Sequence, residues 1–135
     1  MEGIGLARHR NLGLAEDLLR RGINLCNISN FGQFVPWFTG VLATVLARLG
    51  RLREAGALLD AYRASDTNHE TWCTAELLRQ HAIVEHLSGA SSAIVIESLD
   101  KAAAMAMRQG ARAWSTAIAE TRRQILAPRP GRAAL

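Results

Sequence analysis

Trp37-Phe38-Thr39-Gly40, Trp72-Cys73-Thr74-Ala75 and Trp114-Ser115-Thr116-Ala117 are three versions of one tetrad, each reading W-x-T-small. They lie 35 and 42 positions apart. A bulky residue followed one helical turn later by a small one, recurring at that period, marks stacked pairs of helices. The small residue admits a neighbouring helix and the tryptophan fills the space beside it. The pattern speaks for architecture and says little about chemistry.

Working outward, each tetrad sits in or beside an apolar stripe of helical period. Ala15, Leu18, Leu19, Gly22, Ile23 and Cys26 follow i, i+3, i+4, i+7, i+8, i+11, one continuous helix face. The spacing predicts a first helix over 11–27. The same series recurs as Phe38, Val41, Leu42, Val45, Leu46 and Leu49, predicting a second helix over 36–49 that Pro36 opens. Proline suits a first helical turn because its missing N–H has no partner there in any case. A break at Gly50-Arg51 turns the chain back into a third helix over 52–64. A fourth, the longest, is expected over 68–88, with Thr67 and Glu70 as a capping box. A fifth spans 91–109 and a sixth 111–126, the latter with the stripe Trp114, Ala117, Ile118, Thr121, Ile125. Gly50, Gly89 and Gly110 each follow a periodic run, where a left-handed C-terminal cap is needed. Ala93-Ile-Val-Ile96 is β-branched but short, so no strand is expected.

The expected fold is therefore all-α: antiparallel helix pairs forming a tetratricopeptide-like α-solenoid segment of about six helices. Residues 1–126 make a single domain and residues 127–135 a disordered basic tail. The chain of 135 residues is 49% hydrophobic and 21% charged, which places it with ordinary globular proteins. It has no run of eighteen apolar residues and no apolar core behind its N-terminal Met-Glu-Gly, so neither a membrane span nor a secretory signal is expected. Cys26 and Cys73 lie within apolar helical patterns and read as buried thiols of a reducing cytoplasm.

The net charge of +4 raises the question of nucleic acid. All basic residues except Lys101 are arginine, and arginine-for-lysine usage beside abundant alanine and glycine fits the coding bias of a GC-rich bacterium. Arg122, Arg123, Arg129 and Arg132 cluster near the C-terminus, and no groove-reading motif accompanies them. A solvated basic tail is the simpler reading, and direct contact with nucleic acid the alternative.

Enzyme signatures are missing: there is no phosphate-cradling P-loop and no G-x-G-x-x-G after a strand. His9, His69, His81 and His86 form no H-E-x-x-H, and Glu85 beside His81 makes only a lone pair. No catalytic residue, metal or cofactor is expected. One polar group merits attention. At 100° per residue, Trp72, Glu76, Arg79, Ile83 and His86 share one side of the fourth helix. Glu76 and Arg79, spaced i, i+3, either pair to orient that helix against the next or, with Trp72 and His86, line a groove for a protein or peptide partner. On the first helix, Leu18, Leu19 and Ile23 are a candidate dimer face, since the residues before them are too few to form a covering helix.

From Trp72-x-x-Ala75-Glu76-Leu77-Leu78-Arg79 to Gln109-Gly110-Ala111-Arg112-Ala113-Trp114, the chain resembles the C-terminal tetratricopeptide-like (MalT-like) region of large bacterial signalling proteins. The likeness covers residues 70–118 and extends to the Leu49-Gly50-Arg51 turn. In that family the region follows a nucleotide-binding ATPase module joined to a class III cyclase or a DNA-binding domain. Ala82 stands where the family has glycine, and Ser115-Thr116-Ala117 replaces Glu-Leu-Arg after the last tryptophan. The resemblance implies a partner-binding or ligand-sensing role in signal transduction or transcriptional regulation, without the family's enzymatic portions.

Overall fold

The computed structural model describes residues 2–64 and 71–127. Among them are six α-helices, one 3-10 turn and no strand. The helices are α1 (Glu2–Ile28), α2 (Val35–Arg48), α3 (Leu52–Ala64), α4 (Thr74–Leu87), α5 (Ser92–Gln109) and α6 (Arg112–Leu126); the 3-10 turn, Gly32–Phe34, precedes α2. No helix among the described residues is long and apolar enough to cross a membrane.

Three helix ends use one device. Gly50, Gly89 and Gly110 have φ of 82°, 85° and 64°. Behind each, the next residue's N–H reaches back five positions: Arg51 to Leu46, Ala90 to Glu85 and Ala111 to Ala106, at 2.9, 3.0 and 2.9 Å. This is the hydrogen bond of a Schellman cap, and the left-handed glycine is what permits it. At the opposite end of α5, the Ser91 hydroxyl accepts from the Ile94 N–H.

Three boundaries differ from expectation. The first helix begins at Glu2 rather than at residue 11 and is the longest, a place expected of the fourth. No proline stands between Glu2 and Asn11, and an interior glycine costs only about 1 kcal/mol relative to alanine, so nothing there ends the helix. Residues 2–10 thus prolong α1 in line with its axis. The fourth helix starts at Thr74, because residues 71–73 form a turn: the Thr71 N–H donates to Thr74 Oγ1 at 2.7 Å, and the Thr74 N–H to the Thr71 carbonyl. Trp72 therefore precedes α4 instead of lying on it. The expected capping box, Thr67 and Glu70, lies outside the described residues, as does the tail beyond Ala127.

The helices pack mainly against their neighbours in the chain, and α2 also meets α4 as α4 meets α6. Gly22 lies against Phe38 near the start of α2, and Arg8 and Leu12 share a cleft with Ala47 and Arg48 near its end, so α1 runs antiparallel to α2. Gln109 reaches Thr71 and Ser98 reaches Glu85, which sets α5 antiparallel to α4. The core has two parts joined by α4. One gathers Ala75 and Ala82 of α4, Val95, Leu99 and Ala102 of α5, and Ile118 of α6. The other gathers Leu42 and Leu46 of α2, Ala55 and Leu59 of α3, and Val84 of α4. Each fully buried leucine or isoleucine contributes roughly 1.5–3 kcal/mol. Cys26 and Cys73 are buried and free, and burial pushes the Cys73 thiol up, away from thiolate chemistry.

The small residues of the tetrads do separate jobs. A methyl group added at Gly40 would stand 3.0 Å from Leu77 Cδ2 and 3.4 Å from Gln80 Cγ, so this glycine sets how closely α4 approaches α2. Ala75 is fully buried between α4, α5 and α6, whereas Ala117 is half-buried. Ala75→Leu should overpack the larger core and lower stability by roughly 1–3 kcal/mol. An unchanged midpoint in chemical denaturation would show that the space beside Ala75 is not tight.

An acidic residue ties α1 to the α2–α3 turn. Arg51 donates to Glu16 at 2.7 Å and to Glu54 at 2.6 and 3.0 Å, and Arg20 donates to Glu16 at 3.0 Å. The Arg51 hydrogen bond holds the Glu16 carboxyl below its ordinary value of 4.5 despite some desolvation, with Arg20 adding to the effect. Because the folded value is the lower one, this contribution is present above about pH 4.5 and is lost as pH falls through the folded value. Protection factors along α1, with the intrinsic pH dependence of amide exchange divided out, should fall on acidification in that window, and Glu16→Gln should flatten the dependence.

Candidate functional site

The polar group read from the sequence forms a chain of hydrogen bonds through the middle of the molecule. Thr44 of α2 donates to Gln80 Oε1 at 2.5 Å, and Gln80 Nε2 donates to Glu76 Oε1 at 2.7 Å. Arg79 grips the same carboxylate with Nε and Nη2 at 2.7 and 2.6 Å and donates through Nη1 to Thr121 Oγ1 of α6 at 2.9 Å. Thr44, Glu76, Gln80 and Thr121 are all buried, and no buried side-chain polar atom among the described residues lacks a partner. A two-point Arg–carboxylate contact is the strongest neutralisation a buried acid can have. This arrangement spans α2, α4 and α6, so the orienting reading of the Glu76–Arg79 pair fits its geometry. Glu76 itself is unavailable to a partner.

The tryptophans of the three tetrads lie side by side. Trp37 and Trp72 have ring centroids 6.0 Å apart, edge to face, and Trp72 and Trp114 are 6.5 Å apart. Phe34 extends the row at 5.8 Å from Trp72, and Phe31 lies 6.4 Å beyond it. These separations fall in the range where aromatic pairs attract. Trp72 Nε1 donates to the Gln33 carbonyl at 3.2 Å, and Gln109 Nε2 donates to the Thr71 carbonyl, so both sides of the turn are held. Trp37 and Trp114 are half-buried, but Trp72 keeps 44% of its surface and Phe31 57%. Beside Trp72 opens an apolar cavity of about 550 Å³ whose walls include Val35, Pro36, Leu58, Ala61 and Tyr62.

His86 and Arg79 meet elsewhere, in a cleft of about 290 Å³ on the row formed by α2, α4 and α6, where Arg48, Ile83 and Gln124 join them. Of the four candidate groove residues, then, Arg79 and His86 share a cleft, Glu76 lies buried beneath it and Trp72 belongs to the aromatic row. His81 turns to another side and faces Glu85 at 3.3 Å. Among the described residues no three metal-ligating side chains gather. Of the four C-terminal arginines, Arg122 pairs with Asp100 of α5 and Arg123 with Glu120; Arg129 and Arg132 lie outside the described residues.

The candidate dimer face needs correction. Leu19 and Ile23 pack against the α2–α3 core, and only Leu18 of the three points outward, 67% exposed. The outward stripe of α1 is Leu14, Leu18, Leu25 and Ile28, because α2 covers the side that carries Leu19, Ile23 and Cys26. The sequence reading also passed over Phe31, Phe34 and Arg48. Phe31 and Phe34, three apart and just ahead of Pro36, were the available signal; Arg48 offered none beyond its place in the last turn of α2.

Neither family models, nor curated proteins, nor solved structures yield a match to this chain.

Glu76→Ala would leave the Arg79 guanidinium, only 19% exposed, without its counter-charge. The expected loss is about 3 kcal/mol, the low end for severing a buried pair, because Arg79 retains some contact with water. A double cycle with Arg79→Leu should recover part of it; a loss near zero in thermal unfolding would mean the pair holds nothing.

Proposed function

We propose that this chain is a non-enzymatic helical-repeat module, an α-solenoid segment of tetratricopeptide type, that binds a protein partner or senses a ligand in the cytoplasm. In this it is similar to the C-terminal region of ATPase-linked bacterial regulators. The single observation that carries the reading is the exposed aromatic surface at Trp72 and Phe31 beside a half-open apolar cavity of about 550 Å³. Large aromatic side chains left open beside an apolar hollow are typical of recognition surfaces. The repeat arrangement is supported by α2, α4 and α6 running alongside one another, with Gly40 against Leu77 and Thr44 against Gln80, and with Trp72 against Trp114 and Arg79 against Thr121, in rising order. A rigid row of this kind would change the disposition of attached domains when its face is occupied.

The protein immobilised on a resin should retain a specific partner from bacterial lysate through this face. Trp72→Ala should abolish retention while circular dichroism stays helical. Retention unaffected by that change, or retention of nuclease-sensitive material only, would overturn the reading. The second outcome would favour the nucleic-acid alternative, whose signature is a steep loss of binding with added salt.

A second copy of the chain is a further partner, through α1. Leu14, Leu18, Leu25 and Ile28 are 57%, 67%, 61% and 75% exposed and fall within about 80° of one another around the helix. In an antiparallel pair about a two-fold axis, Leu14 faces Ile28 and Leu18 faces Leu25, so Arg21 meets its own copy at the axis, with Asp17 one turn away as its counter-charge. Light scattering at high micromolar concentration should give a dimer mass, and Leu18→Glu a monomer. A monomeric wild type would remove the dimer.

A further inference from the structure

The small cleft beside His86 is one half of a longer feature. A second cleft, of about 550 Å³, lies across α1, α2 and the start of α3, with Arg8, Leu12, Arg48 and Leu52 on its walls. Arg48 and Leu87 line both clefts, which places the two side by side as a groove across α1 to α6. Its basic side chains are Arg8, Arg48, Arg79 and His86, and among the described residues no aspartate or glutamate lines either half. Arg79 is already balanced by Glu76. Arg8 and Arg48 are exposed, and neither meets a carboxylate among the described residues. Between the charges stand apolar groups: Leu12 and Leu52 in one half, Leu87 at the junction, Ile83 and Ile125 in the other.

We propose that this groove binds an extended acidic peptide segment of a partner protein, with its carboxylates on Arg8 and Arg48 and its alternate apolar side chains on Leu87 and Ile83. The inference rests on the interaction-module reading and names the partner's chemistry at a second face, distinct from the one at Trp72. Residues i and i+2 of an extended strand share a side, about 7 Å apart, so one side of such a segment can bring both acidic and apolar groups to the groove. Arg48 sits in the last turn of α2 and His86 in the last turn of α4, where free carbonyls repel an anion. Arg48 overcomes that repulsion, so its loss removes a ligand and uncovers an unfavourable field together. A nucleic-acid strand fits less well, because base stacking needs aromatic faces and none among the described residues lines this groove.

The test is fluorescence anisotropy with a labelled peptide of about ten residues in which every second position is glutamate or leucine in turn and the positions between are serine, roughly 33 Å when extended. A lysine–leucine peptide and a single-stranded DNA of equal charge serve as comparisons. The acidic peptide should bind, the lysine peptide should not, and Arg48→Glu should weaken binding by at least about tenfold, as should Arg8→Glu. Arg112→Glu, at the far end of α6, alters net charge equally and should leave affinity unchanged. Where Arg48→Glu loses helical signal, Arg48→Gln serves, with a smaller loss in the same direction. An equal loss at Arg112→Glu, tighter binding of the DNA, or no peptide binding at all overturns the groove. A lysate partner still retained through Trp72 in that last case leaves the interaction-module reading standing; loss of both would end it.

Discussion

One carboxylate fixes the arrangement of this molecule. Glu76 is buried in the first turn of α4, where an unpaired charge would be intolerable, and three donor atoms converge on it: two from Arg79 and one from Gln80. Each of those residues then spends its remaining capacity on a different helix, Gln80 on Thr44 of α2 and Arg79 on Thr121 of α6. The net energy of such a network is modest, since removing the charges from water offsets most of what their attraction supplies. Its effect is on register. A slide of α2 or α6 along α4 by one turn would leave a buried donor or acceptor unmet, whereas apolar contacts alone would tolerate it.

The aromatic row depends on that register. Trp37, Trp72 and Trp114 come from three separate stretches, and their rings meet only because α2, α4 and α6 are set at matching heights. Gly40 contributes by letting Leu77 and Gln80 close on α2. The same alignment places Arg48, His86 and Gln124 around one cleft, since each lies about one to two turns beyond Thr44, Gln80 or Thr121 of the polar chain on its own helix. Packing inside the row and the open face along it are therefore two results of one constraint.

Helix positions were legible in the sequence wherever apolar periodicity ran into a glycine. Gly50, Gly89 and Gly110 close their helices with the same hydrogen bond, and 52–64 was readable to the residue. The start of α4 was not, because the threonine contacts at Thr71 and Thr74 that halt it follow no apolar period. The full length of α1 escaped for the opposite reason: periodicity locates the packed part of a helix, and residues 2–10 continue it with little of the stripe. For the site, spacing correctly put Glu76, Arg79 and His86 on one helix. It could not separate the buried acid from the open cleft, since depth is set by α2 and α6, which a single helix's pattern does not contain. Leu18, Leu19 and Ile23 fail in the same way: all lie on one broad stripe, and α2 covers two of them.

The titratable groups divide by what their environment does to them. Glu16, Glu54 and Glu120 are held low by arginine hydrogen bonds, and Arg123 is held high by Glu120, so each remains charged through the neutral range. These pairs tie α1 to the α2–α3 turn and one turn of α6 to the next. Burial raises Cys73 and Tyr62, which keeps both protonated and unreactive near neutrality. Every such shift drives its group away from titration near pH 7, while poised general acids and bases are shifted towards it. Perturbation of that sign is the mark of groups that hold structure. Arg8 and Arg48, exposed and meeting no carboxylate among the described residues, on a groove that has apolar ledges, are held in reserve for an outside ligand in the reading proposed above. In that reading fixed pairs keep the row rigid, and a rigid row presents its unpaired cations at a constant spacing, so a partner gives up little of the protein's own conformational freedom on binding.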